Sequence, residues 1–140
     1  MKIGIIYWTG TGNTETMANA IAEGVKKVAE VEVKTVGATS PEKALEYDKL
    51  LLGCPAMGAE ELEDAEFAPF YEAIKGKLKD KLVALFGPYD WGNGEWMEFW
   101  CADAEAAGIK LYDKGYIIQQ DDLDDEIDNC INYGENFAKA

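Results

Sequence analysis

A chain of 140 residues, 48% of them hydrophobic, can bury roughly two-thirds of its unfolded surface and is too apolar for global disorder. Its 27 carboxylates against 13 lysines leave a net charge of −14, which repels nucleic acid and anionic membranes and steers toward basic partners. The sequence has no histidine and no arginine, which excludes a Ser-His-Asp triad, a histidine-ligated metal and a guanidinium grip on phosphate.

No apolar run reaches the roughly 20 residues of a membrane span. Met1–Ile6 turns polar too soon for a secretory signal, so the expectation is a cytoplasmic protein with one domain over residues 1–140. Cys54, Cys101 and Cys130 form no CxxC pair and read as reduced, buried thiols.

In chain order, Ile3–Tyr7 is an apolar run that ends at a Gly-rich turn. Met17, Ala20, Ile21, Gly24, Val25 and Val28 then follow helical spacing. Val31–Val36 alternates with period two, as a partly exposed edge strand does. Ser40-Pro41-Glu42 opens a short helix, with Ser as cap and Pro in the first turn. Leu50–Cys54 and Leu82–Phe86 are unbroken apolar runs, suited to central strands buried on both faces. Trp96, Phe99 and Trp100, three and four apart, read as the core stripe of the next helix. Ile109–Ile118 supplies a fifth strand and Asp124–Ala140 a closing helix. Strands and helices that alternate in this way make a doubly wound α/β domain, a five-stranded parallel sheet with helices on both faces.

Such sheets bind ligands beyond the carboxyl ends of their strands, where the winding reverses. The loops after strands one, three and four are therefore the informative ones. The first, Trp8-Thr9-Gly10-Thr11-Gly12-Asn13-Thr14, offers turning glycines, hydroxyls, an amide and a helix N-terminus, all of them donors to an anion. It is not a dinucleotide fingerprint, because Glu15 stands where GxGxxG needs its third glycine, and not a P-loop, because no lysine follows. A lysine-free cradle suits a terminal monophosphate. The competing reading is an ordinary βα turn capped by Thr14.

The loop Gly53–Glu60 presents Pro55, Ala56, Met57, Gly58, Ala59 and Glu60. The loop Gly87–Gly94 presents Pro88, Tyr89, Asp90, Trp91 and Gly92. A planar ring could lie between Met57 and Trp91, with Glu60 accepting an N–H from its edge. Alternatively, these side chains fold back onto the core.

The three motifs Tyr7–Glu15 (YWTGTGNTE), Leu52–Gly58 (LGCPAMG) and Ala84–Gly92 (ALFGPYDWG) together resemble the flavodoxin family, specifically its short-chain branch in anaerobic bacteria. The similarity covers essentially the whole chain. It implies strand order 2-1-3-4-5 and one non-covalently bound FMN that passes through oxidised, semiquinone and hydroquinone forms. It further implies a low-potential one-electron carrier that stands in for ferredoxin and turns over no substrate of its own. Carried over by residue, Thr9, Thr11, Asn13 and Thr14, with the Gly10 and Gly12 amides, hold the phosphate, and Met57 and Trp91 flank the ring. The backbone at Gly58 meets flavin N5, Glu60 takes the N3 proton, Gly92 lines the pyrimidine end, and Gln120 approaches the ring.

Three residues depart from the family pattern: Ala59 for a polar residue, Pro88 for a hydroxyl, and Asp90 for a small residue near the pyrimidine end. Asp90 is expected to lower the potential of the second electron. Glu60, Glu61, Glu63, Asp64 and Glu66 would ring the redox edge and steer basic, ferredoxin-linked oxidoreductases toward a monomer. The acidic run Asp121–Asp128 is explained largely by the helix dipole. A flavin-dependent reductase on the same scaffold would need a second pocket, and no insertion supplies one. A response regulator would need an acidic pocket after strand one, where Tyr7-Trp8-Thr9 offers none.

Overall fold

The computed structural model describes residues 1–57 and 61–140. Among them, strands β1 (Lys2–Tyr7), β2 (Glu30–Thr35), β3 (Lys49–Gly53) and β4 (Leu82–Tyr89) are followed by two short ones, β5 (Lys110–Leu111) and β6 (Tyr116–Gln119). The helices are α1 (Asn13–Val25), α2 (Pro41–Ala44), α3 (Phe67–Ile74), α4 (Glu95–Ala106) and α5 (Ile127–Lys139). Every strand pairs in parallel, in the order β2-β1-β3-β4, with β5 and β6 both on the free edge of β4. Ile3 stands opposite both Val31 and Lys49, which fixes β1 inside the sheet and β2 at its edge.

The fifth strand is thus split, where unbroken pairing over 109–118 was expected. Asp113 accepts from the Gly115 N–H at 2.9 Å, and Gly115 takes φ 93°, so a side-chain turn lifts the chain off β4 before β6 rejoins it. β4 runs on to Tyr89 because β6 pairs with it from Phe86 onward. The closing helix also starts later than expected, since residues Gln120–Glu126 form a 3₁₀ stretch before α5.

Period-two alternation sorts the sheet's side chains into two cores. Ile3, Ile5, Tyr7, Leu51, Ala84 and Phe86 pack with α1 and α5, whereas Ile6, Leu50, Leu52, Val83 and Leu85 pack with α3 and α4. α1 and α5 cross at two glycines. A Cβ on Gly24 would overlap the Ile131 carbonyl, and one on Gly134 the Ile21 carbonyl. Ser40 caps α2 as expected, its Oγ accepting from the Lys43 N–H at 3.3 Å.

α3 is capped from inside. The buried Glu63 carboxylate accepts from the N–H groups of Ala65, Glu66 and Phe67, each at 2.8 Å. Burial acts to raise its pKa, but the three donors outweigh that and hold it below the ordinary value of 4.5. Glu63 therefore points away from the acidic rim that the sequence suggested. Phe99 departs in the opposite sense: it is 64% exposed, while Trp96 and Trp100 are buried. The three cysteines are buried free thiols. Among the described residues, no helix is long and apolar enough to cross a membrane, and no group of carboxylates and thiols could hold a metal.

Candidate functional site

At the carboxyl ends of β1, β3 and β4, and against the start of the segment after β6, lies a cavity of about 190 Å³. Trp8, Gly10, Thr11, Asn13 and Thr14 line one side; Pro55, Ala56 and Met57 a second; Pro88, Tyr89, Asp90 and Gln120 the rest. Residues from three loops far apart in sequence therefore meet where the winding of the sheet reverses.

The first loop is built to leave donors open. Gly12 sits at the head of α1 with φ 99°, in the left-handed region that glycine enters without strain, and no side chain caps the helix. Thr14 is not the cap; it is 1% exposed and lines the cavity. The Gly12 N–H donates to Thr9 Oγ1 at 2.9 Å, which leaves the Thr9 hydroxyl proton available but engages the Gly12 amide. Glu15, the carboxylate beside this loop, accepts from the Tyr7 hydroxyl at 2.9 Å. Burial and that carboxylate push the Tyr7 pKa up to about 12, so Tyr7 keeps its proton and its grip on Glu15. Among the described residues no lysine lines the cavity.

The second loop leaves β3 and is clipped across its base. The Met57 N–H donates to the Glu61 carbonyl at 2.9 Å, and the Glu61 N–H returns the bond at 3.2 Å. Gly58, Ala59 and Glu60, on which the expected N5 and N3 contacts fall, lie outside the described residues. The third loop begins three residues later than the sequence suggested, after Tyr89. Gly87 is a buried residue of β4, where a Cβ would strike the Cys54 carbonyl, and it does not line the cavity. Trp91 is 66% exposed beside the cavity, so it does not fold back onto the core. Gly92 follows with φ 89°; neither it nor Trp91, Thr9 and Gly12 is part of the cavity wall.

Side-chain bonds lock the loops together. Asn13 Nδ2 donates to Gln120 Oε1 at 3.1 Å, and Trp8 Nε1 donates to Glu66 Oε1 at 3.2 Å. Gln119 Nε2 donates to the Asp90 carbonyl at 2.9 Å, while Gln119 Oε1 accepts from the Asp121 N–H at 2.7 Å. Gln119 and Glu66 are the positioning residues that the sequence reading missed. The doubled Gln at the end of a strand was the available signal for the first; for the second there was none, since Glu66 is 58 residues from Trp8.

The comparisons with known proteins agree. The flavodoxin family model matches residues 5–134. The chain is 44% identical to a flavodoxin of Megasphaera elsdenii, over 97% of this chain and 98% of that one. It is 42% identical to a flavodoxin of Clostridium beijerinckii, over 96% and 97%. The solution structure of the two-electron reduced Megasphaera elsdenii flavodoxin superposes with a TM-score of 0.87 at 45% identity, covering 99% of each chain. The chain therefore belongs to the flavodoxin family, in its short-chain branch, the FMN-binding proteins that carry electrons between redox partners and turn over no substrate of their own.

Proposed function

We propose that the cavity at the switch point is the FMN site, with the phosphate on the first turn of α1 and the ring between Met57 and Trp91. The observation that carries this is the uncapped head of α1 at Gly12, opening into a cavity whose walls offer hydroxyls and amides but, among the described residues, no ammonium. An unsatisfied helix N-terminus attracts an anion, and neutral donors suffice for one terminal phosphate. Trp91, large and exposed beside the cavity, fits the second requirement of the group, a flat apolar surface for its ring.

When bound, FMN supplies a ring that accepts and releases electrons one at a time. The chain does the rest. Thr11, Asn13 and Thr14 hold the phosphate end, and Gln120, tied to Asn13, keeps the far wall in register. Met57 and Trp91 exclude water from the ring faces. Asp90 and the overall charge of −14 oppose added negative charge on the ring, which makes the second electron a strongly reducing one. The roles of Gly58 and Glu60 at the ring edge rest on the family resemblance.

On this reading the protein works as a single domain and a monomer in the cytoplasm, in place of ferredoxin, and offers ferredoxin-linked oxidoreductases an acidic face. Glu61 and Asp64 are exposed there, whereas Glu63 is turned inward as a helix cap. Apoprotein mixed with FMN should bind one equivalent and quench the flavin fluorescence. Anaerobic reduction should then bleach the spectrum in two resolved one-electron stages. A protein that takes up no FMN would overturn the site.

A further inference from the structure

We propose that a second cavity, of about 340 Å³ between α3 and α4, receives an apolar side chain flanked by lysines from the surface of a partner protein, anchoring that partner beside the flavin. The proposal rests on the electron-carrier reading and adds to it a specific seat.

The groove starts where the flavin site ends. Glu61, whose backbone clips the base of the Met57 loop, forms its rim, and Leu62 continues its wall. Its floor is the buried Tyr71, Trp96 and Trp100. Phe99 closes the opposite side at 64% exposure. An exposed Trp91 is accounted for by a ring lying on it; an exposed Phe99 beside an aromatic floor has no such cover among the described residues. Of the floor's polar groups, the Tyr71 hydroxyl donates to Asp103 at 2.9 Å and the Trp96 indole to the Cys54 carbonyl at 3.2 Å, whereas the Trp100 indole N–H is sealed from solvent and finds no acceptor among the described residues.

Charge selects the occupant. Four carboxylates stand around the opening: Glu61, Asp64, Glu72 and Asp103. One end is already filled from within. The Lys75 ammonium lies 2.8 Å from Glu72 and 3.1 Å from Asp103, and 5.7 Å from the centre of the Tyr71 ring. That is a lysine held between carboxylates over an aromatic face. At the other end, Glu61 and Asp64 form no ion pair with any lysine among the described residues. A partner lysine placed there would repeat the Lys75 arrangement, with its neighbouring apolar side chain against Phe99 and Trp100. A second copy of this chain is a poor occupant, since it would bring its own acidic rim and a charge of −14.

The test uses isotope-labelled protein loaded with FMN at low salt, reading the indole N–H signals of Trp96 and Trp100 by NMR. The probe is a short amphipathic peptide of leucine and lysine; a serine–lysine peptide of equal charge is the control. The leucine–lysine peptide should shift both indole signals, and Phe99→Ser should weaken it about tenfold, as loss of a buried anchor does. The control peptide should bind wild type and Phe99→Ser alike. Glu61→Gln with Asp64→Asn should weaken the leucine–lysine peptide several-fold at low salt, with the difference gone at about 0.5 M salt. Phe99 is exposed, so its replacement leaves the fold intact, and flavin absorbance of the same sample reports FMN retention independently. Equal affinity of that peptide for wild type and Phe99→Ser, or a shift confined to Trp91, would overturn the proposal. So would a wild-type dimer in sedimentation that Phe99→Ser abolishes. Failure to retain FMN would refute the carrier reading instead.

Discussion

At the scale of single residues, position within a local frame decides what each side chain does. Trp91 and Phe99 are both exposed aromatics near the cavity, yet only Trp91 was legible as exposed. The reason is angular. The buried stripe of α4 is Trp96, Met97, Trp100, Cys101 and Ala104, and Phe99 falls on the helix face away from its centre. Spacing among the three aromatics alone could not show this, because the stripe is centred by the smaller residues. Glu63 and Asp64 are adjacent carboxylates with opposite fates, one a buried cap and one a rim charge, and nothing local in the sequence separates them. Two predictions belong here. Asp90→Gly should raise the potential of the second electron by tens of millivolts at low salt, the effect of about 1 kcal/mol from one nearby screened charge. Potentiometry that finds no change would remove Asp90 from the tuning of the site. Glu63→Ala should destabilise the fold by about 1–2 kcal/mol through loss of the α3 cap. Because the folded pKa of Glu63 lies below 4.5, its contribution is present above that pH and is lost as the pH falls through the folded value. Urea midpoints for wild type and Glu63→Ala should accordingly converge on acidification below about pH 4.5, and a constant gap would refute the cap's role in acid stability.

Among the elements, the central strands were readable because they are buried on both faces and appear as continuous apolar runs. The first loop was readable as well, since its glycines, hydroxyls and missing lysine are all local features. The split fifth strand was not: after Tyr112, whose N–H still donates to the Val83 carbonyl, the chain leaves the sheet through an Asp113–Gly115 turn that also carries the Tyr133 hydroxyl bond to Asp113, 20 residues further on. α3 was likewise unreadable at its start, because its cap is a carboxylate set four residues before the helix's first residue rather than a residue at its head. The element that most constrains the fold is the α1–α5 crossing, where backbone meets backbone at Gly24 and Gly134. Adding a methyl group there forces the helices apart. Gly24→Ala and Gly134→Ala should each lower stability by about 1–3 kcal/mol, despite alanine's better helix propensity. Thermal or urea unfolding reads this directly, and a stabilised Gly134→Ala would mean the crossing is loose.

Over the whole molecule, charge dominates. A net −14 on 140 residues resists compaction and promotes long-range attraction to basic surfaces. Raising salt from about 10 mM to 300 mM should raise the melting temperature by several degrees while slowing electron transfer to a basic oxidoreductase about tenfold or more. A rate insensitive to salt would show that the acidic face does not steer the encounter. The two cores divide this labour. The α1–α5 side of the sheet holds the tight backbone crossing, while the α3–α4 side carries the aromatic groove next to the Met57 loop.

If the cradle at the head of α1 holds the phosphate as proposed, it does so, among the described residues, without a lysine, and this reaches into cell chemistry. Acetylation, carbamylation and glycation all act on amines, and the chain has 13 lysines on which they can act. Among the described residues none of these lines the cavity, so no such modification removes a group that touches the phosphate. On the proposed reading, acylation of those lysines leaves the described groups that face the cofactor chemically intact. Lys75, paired with Glu72 and Asp103 beside the proposed docking groove, is among the ammonium groups that such chemistry would change.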